Sequence, residues 1–185
     1  RSHRLDKDTS GLLLVAKTNE AHMTFANLFA NSKGSLIKRK YTCVVFGNPS
    51  NKIGSIQTYI MRHPKNRQIF TTSKTNGKLA ITLYTVENSY YFSSTKALSI
   101  INCELLRGRT HQIRVHMKHI GCPLVGDQVY CKSKIESVYP DYIRHFPRQV
   151  LHSRELSFIH PFTKKHIIII APFPEDIVGL LSKLK

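Results

Sequence analysis

Between residues 41 and 105 the chain reads as one strand after another, with hardly any room for a helix. Runs rich in β-branched and aromatic residues fall at 41–46, 54–60, 68–72, 79–86 and 97–105. Turn formers such as Gly47-Asn48-Pro49 and Thr75-Asn76-Gly77 separate most of them, since Gly, Asn and Pro take the dihedrals a reversal needs. Many strands in succession with few helices predict an α+β fold, with a mixed, largely antiparallel sheet flanked by helices.

The flanks fit this frame. Residues 12–16, an apolar run after Thr9-Ser10-Gly11, have the pattern of a buried strand. Ala21, Phe25, Leu28 and Phe29 then line one helical face, and Asn31-Ser32-Lys33-Gly34 is expected to stop that helix. A second helix is predicted over 110–120, with Ile113, Met117 and Ile120 on one face and His111, Arg114 and Lys118 on another. Residues 132–150 are polar and turn-rich and read as an insertion or long loop. Strands at 150–158 and 166–171 precede a helix opening at Pro174, with Ile177, Leu180, Leu181 and Leu184 as its core stripe.

At 185 residues the chain suits a single domain, 1–185. With 28 Lys+Arg against 11 Asp+Glu, the formal net charge is +17 at 41% hydrophobic content. That is too apolar for a disordered basic tail, so the charge belongs on a folded surface, and such a field favours a polyanion. Apolar runs fall far short of the roughly 18 residues a membrane span needs. Cys43, Cys103, Cys122 and Cys131 form no CxxC pair or zinc spacing, and read as free thiols of the cytoplasm or an organelle matrix. No signal peptide is evident.

Three clusters can carry chemistry. His3-Arg4-Leu5-Asp6-Lys7-Asp8-Thr9-Ser10-Gly11 reads as a turn on composition alone, but it sets Asp6 between Arg4 and Lys7. A positioned carboxylate there can be a nucleophile or a base. Gly108-Arg109-Thr110-His111-Gln112-Ile113-Arg114-Val115-His116 is either a solvated basic helix face or a helix start that turns Arg109, Thr110 and backbone N–H groups toward phosphates. His111, His116 and His119 make a poor metal set, because His111 and His116 lie about 140° apart on a helical wheel and no carboxylate follows at ligand spacing. Lys38-Arg39-Lys40-Tyr41 is either a basic entry to a core strand or a base-stacking platform among cations.

Together these segments resemble the RluA-type RNA pseudouridine synthases. Residues 3–12 match the family's His-Arg-Leu-Asp-x-x-Thr-Ser-Gly-Leu hallmark throughout. Arg39-Lys40-Tyr41 followed by Val45-Phe46-Gly47 resembles its Lys-x-Tyr motif and Val-x-Gly strand, with Arg in place of Lys. Residues 108–116 match Gly-Arg-Thr-His-Gln-Ile-Arg-Val-His, and Arg107 replaces the preceding Thr. Leu151-His152-Ser153 with His160-Pro161 resembles a fourth motif. Arg62-His63-Pro64, the segment from Gly77 to Thr82, the segment from Pro147 to His152 and the Ala171-Pro172-Phe173-Pro174-Glu175-Asp176 end are similar to the RluD-like branch, whose substrate is large-subunit rRNA.

The resemblance implies a pseudouridine-synthase catalytic fold. The family carries strands before its hallmark and often an S4-like RNA-binding domain, so the start of the catalytic domain is expected to be absent. It implies isomerisation of uridine to pseudouridine without cofactor or metal. Asp6 would be the nucleophile or a ribose-directed base, Arg114 its charge partner and Tyr41 the residue that stacks on the uracil. Arg4 would enter the RNA where the base has left. Arg109, Thr110, His111, Gln112 and Leu151 would contact RNA or wall the pocket. The expected partner is RNA, with no membrane and a monomeric chain. A binding-only basic protein and a synthase acting on tRNA are the competing readings.

Overall fold

The computed structural model describes residues 4–30, 36–131 and 135–184. Eight strands form one sheet: β1 (Ser10–Gly11), β2 (Lys38–Phe46), β3 (Ile53–Arg62), β4 (Phe70–Ser73), β5 (Lys78–Tyr91), β6 (Ala97–Arg107), β7 (Leu151–Ile159) and β8 (His166–Ile170). Their order is β1-β7-β2-β6-β5-β3-β4, with β8 also on β7. Every ladder is antiparallel except β1 on β7. Four helices accompany the sheet: α1 (Asn19–Ala30), α2 (Gln112–His119), α3 (Asp141–Arg144) and α4 (Glu175–Ser182). The predicted α+β fold is thus observed.

Alternation decides which faces pack. Along β2, Tyr41, Cys43 and Val45 join Ile101, Cys103 and Leu105 of β6 under Ile113 and Met117 of α2. On the opposite face, Val44, Leu98 and Ile100 pack against Ile143, Phe146, Val150, Ile177 and Leu180 of α4, and Leu184 just beyond it. Side chains of period two on the strands and period 3.6 on the helices thereby close two layers of core around the sheet.

Three expectations change. The buried strand over 12–16 does not form. β1 runs parallel to β7 only as far as Gly11↔Ser153, because β8 occupies the same edge of β7 from Glu155 onward. Leu12 still donates its N–H to the Ser153 carbonyl at 3.0 Å, and Leu12 and Leu14 pack on Phe25, while Leu13 and Val15 stay exposed. In the stretch expected to be an insertion or long loop, the described residues 135–150 carry α3 and are not simply loop. Tyr139, Ile143, Phe146 and Val150 are buried around α3, so apolar residues spaced through a polar stretch build the α4-side core. Finally, of the two readings of α2, a basic face in solvent holds only at its end: Gln112 to Met117 are buried, and Lys118 and His119 are exposed. The predicted stop of α1 at Asn31–Gly34 lies outside the described residues.

Candidate active site

Asp6 sits on a tight turn whose shape is forced from both sides. Thr9 N–H donates to the Asp6 carbonyl at 3.1 Å, and Asp8 takes φ 68°. Gly11 takes φ 106°, and a Cβ there would lie 2.2 Å from the Ser153 carbonyl oxygen. Only glycine lets β1 approach β7 this closely. The segment before β7 then clamps the turn. Gln149 Nε2 donates to the Lys7 carbonyl (2.6 Å) and to Thr9 Oγ1 (3.1 Å), and Arg148 donates to the Asp8 carbonyl (2.9 Å).

Arg114 reaches this turn from α2, 108 residues away in sequence, with Nη1 at 3.5 Å from Asp6 Oδ2. A close Arg–carboxylate pair has N···O near 2.7–2.9 Å, and Arg114 makes that pair with another residue. Arg114 Nε and Nη2 clasp both oxygens of Asp127 at 2.7 and 3.0 Å. Asp127 also accepts the N–H groups of Val129 and Tyr130, each at 2.9 Å. Burial pushes the Asp127 carboxyl up, but the Arg114 clasp and the two backbone donors outweigh it and hold the group below its usual range. Asp127 therefore fixes the guanidinium, whose remaining edge faces Asp6.

A cleft of about 460 Å³ opens beside this pair, a volume suited to a small ligand. Arg4, Asp6, Tyr41, Arg109, Thr110, His111, Gln112 and Leu151 all line it, and Arg114 joins them only through its 3.5 Å approach to Asp6. The sheet thus brings together every residue singled out in the sequence. Asp6 is the one carboxylate of the lining among the cations Arg4, Arg39, Lys78 and Arg109. Tyr41 is only 6% exposed. Burial raises its phenol above the usual value, which keeps it neutral. A β-bulge between Lys40 and Tyr41 re-aims the strand at this point.

Some polar groups of the predicted RNA-binding set are used inside the protein. Gln112 Oε1 accepts the Arg109 N–H at 2.8 Å, and its Nε2 donates to the Ile81 carbonyl (3.0 Å) and Thr82 Oγ1 (2.9 Å). Gln112 thus ties the start of α2 to β5. His111, at φ 57°, pairs its Nδ1 with the Tyr130 hydroxyl (2.7 Å), which accepts the Phe70 N–H (2.9 Å). Burial lowers the His111 pKa, which disfavours the charged ring. Asp127 and Tyr130 escaped the sequence reading. Their one signal was an acidic residue after Gly126 in a basic chain. Among the described residues no group of His, Cys, Asp and Glu could hold a metal ion.

The chain matches the RNA pseudouridylate synthase family over residues 2–119 and belongs to it. It is 41% identical to the uncharacterized RNA pseudouridine synthase YlyB of Bacillus subtilis, over 99% of this chain and 55% of that protein. It is 42% identical to the ribosomal large subunit pseudouridine synthase D of Zymomonas mobilis, over 98% of this chain and 55% of the relative. The chain thus spans about half the length of the curated relatives it matches. Human RNA Pseudouridylate Synthase Domain Containing 1 superposes with a TM-score of 0.74 at 26% identity, covering 94% of this chain and 68% of that structure.

Proposed function

We propose that the chain isomerises uridine to pseudouridine in large-subunit rRNA, with Asp6 as the reacting carboxylate. The observation that carries this reading is the placement of Asp6 against the Arg114 guanidinium at a cleft whose lining also holds the cations Arg4, Arg39, Lys78 and Arg109 and the ring of Tyr41. Asp6 acts on the ribose side of the nucleotide, as nucleophile or base. The uracil leaves C1′, turns in the cleft and rejoins through C5, and the C5 proton is then removed. Tyr41 stacks on the uracil and relays that proton to water, its neutral hydroxyl accepting one proton as it gives up another. Arg114 holds Asp6 in place. A uracil in a stacked loop must leave its stack, at a cost of a few kcal/mol. Arg4, exposed on the rim, offsets that cost by filling the vacancy. The relatives named for the ribosomal large subunit favour rRNA over tRNA as substrate, and no step calls for a cofactor, a second subunit or a membrane.

Asp6→Asn keeps shape and removes the charge. Pseudouridine formation in a large-subunit rRNA transcript should disappear while RNA affinity stays within a few-fold. Turnover near the wild-type rate in Asp6→Asn would defeat the assignment. Mapping pseudouridine in rRNA from cells with and without the gene identifies the nucleotide.

A further inference from the structure

The sheet order leaves a second opening beside the cleft. β3 lies between β5 and β4. β4 pairs with it only from Arg62↔Phe70 to Tyr59↔Ser73, and the chain then crosses β3 to begin β5 at Lys78. Gly77 lets that crossing lie close: at φ 112°, a Cβ there would come within 2.5 Å of the Ile60 carbonyl oxygen. From Ile53 to Thr58 the outer edge of β3 therefore has no strand beside it among the described residues. A notch of about 540 Å³ sits where β4 stops, with Gln57, Tyr59, Lys74, Leu79 and His119 in its lining. That volume suits a small ligand. Gln57, Tyr59 and Lys74 are exposed, and their side chains make no hydrogen bond, ion pair or ring contact among the described residues.

The notch and the cleft are neighbours. Lys78 lines the cleft and Leu79 the notch, and Arg109 of the cleft donates from Nε to the Leu79 carbonyl at 3.0 Å. His111 lines the cleft and His119 the notch, at the two ends of α2, about 12 Å apart by helical rise. An amide, a ring and an ammonium are the groups that hydrogen-bond a base edge, stack on a base and hold a phosphate. We propose that the notch is a second nucleotide subsite, in which an unpaired base flanking the reactive uridine stacks on Tyr59, meets the Gln57 amide at its edge and leaves its phosphate to Lys74. The subsite rests on the reading of the cleft as an RNA site. RNA is favoured over a protein strand at the free β3 edge, because the described lining holds a cation and no carboxylate and adjoins the cleft. Two seats at a fixed spacing select one loop among many uridines, so the notch sets specificity.

The test uses the full chain and a uridine-bearing stem-loop RNA in which one nucleotide at a time is made abasic, with sugar and phosphate kept. With the unaltered chain, losing the base at one position near the reactive uridine should weaken binding about tenfold, the scale of one stacked base. Tyr59→Ala should bind the intact RNA about tenfold more weakly and lose the penalty at that position while keeping those elsewhere. Tyr59→Phe keeps the ring and should keep the penalty. In the unaltered chain, a 4-thiouridine at that position should crosslink to β3 on irradiation, and this measurement decides the matter if Tyr59→Ala does not fold. Equal penalties at all flanking positions, a penalty that survives in Tyr59→Ala, or a crosslink to another element overturns the subsite. Isomerisation with no Tyr59-dependent position overturns the subsite alone. A Tyr59-dependent position in a chain that does not isomerise uridine supports the subsite and removes the proposed function.

Discussion

Arg114 serves two carboxylates, and its distances rank them. The bidentate grip on Asp127 sets the guanidinium, and the looser 3.5 Å approach to Asp6 leaves that carboxylate free to meet a substrate. A lysine at 114 keeps the charge but not the fork. It can hold one carboxylate oxygen, not both oxygens of Asp127 and a third on Asp6. Arg114→Lys should therefore fold and bind RNA while turnover drops about 100-fold, the cost of misplacing a reacting group by about 1 Å. Asp127→Asn tests the other half. It leaves a buried guanidinium without its main partner, and breaking such a pair costs about 3–5 kcal/mol. Urea unfolding should show that loss, and pseudouridine formation should fall with it although Asp127 does not line the cleft. An Asp127→Asn chain of unchanged stability would mean that Asp6 alone suffices to hold Arg114.

At the scale of the element, α2 shows what a sequence reveals and what it hides. The helix itself was legible from the 3.6 period of Ile113, Met117 and Ile120, and the observed Gln112–His119 falls inside the predicted span. The cleft residues were legible because motif order carries them. What packs on the polar side of α2 was not legible, since that depends on β3, β5 and the Asp127 turn arriving from elsewhere in the chain. The same holds at residues 12–16, where pattern alone could not reveal that β8 takes the edge of β7. His116 is the clearest case. It is fully buried, with Nδ1 2.8 Å from Thr82 Oγ1 and Nε2 3.0 Å from Thr58 Oγ1, and burial lowers its pKa to about 4. Its unfolded form titrates near 6.5. As pH falls, the unfolded chain takes up the proton first, so stability is intact above about pH 6.5 and declines down to about pH 4. The loss from this group is about 3 kcal/mol. Burial also lowers His111 and His152, which adds to it in the same direction. The melting temperature should fall between pH 7 and 4.5, and His116→Gln should flatten the decline. An unchanged slope in that variant would rule out His116 as its source.

For the molecule as a whole, the question is whether its charge is compensated internally or offered outward. Six acidic side chains are already engaged: Asp6 and Asp127 by Arg114, Glu155 by Lys40, Glu136 by Lys96, Asp141 by Arg144 and Asp176 by Arg148. With 28 Lys+Arg and 11 Asp+Glu in all, most cations have no carboxylate to meet. Arg4, Arg39, Lys78 and Arg109 gather at the cleft, where Asp6 is the only opposing charge among the described lining residues. Such a surface neutralises phosphates by displacing their counterions, and that displacement is read directly by salt. Each phosphate held on a single strand contributes roughly −0.7 to the slope of log affinity against log salt. About five contacts give a slope of about −3.5, or about a 100-fold loss of RNA affinity between 50 and 200 mM salt. Fluorescence anisotropy with a uridine-bearing RNA checks this. Arg109→Gln should make the slope shallower by about 0.7, while Asp6→Asn, which removes no phosphate contact, should leave it unchanged. A flat line would mean that the charge of the fold faces away from the RNA, and the cleft would then have to draw its substrate by shape and stacking alone.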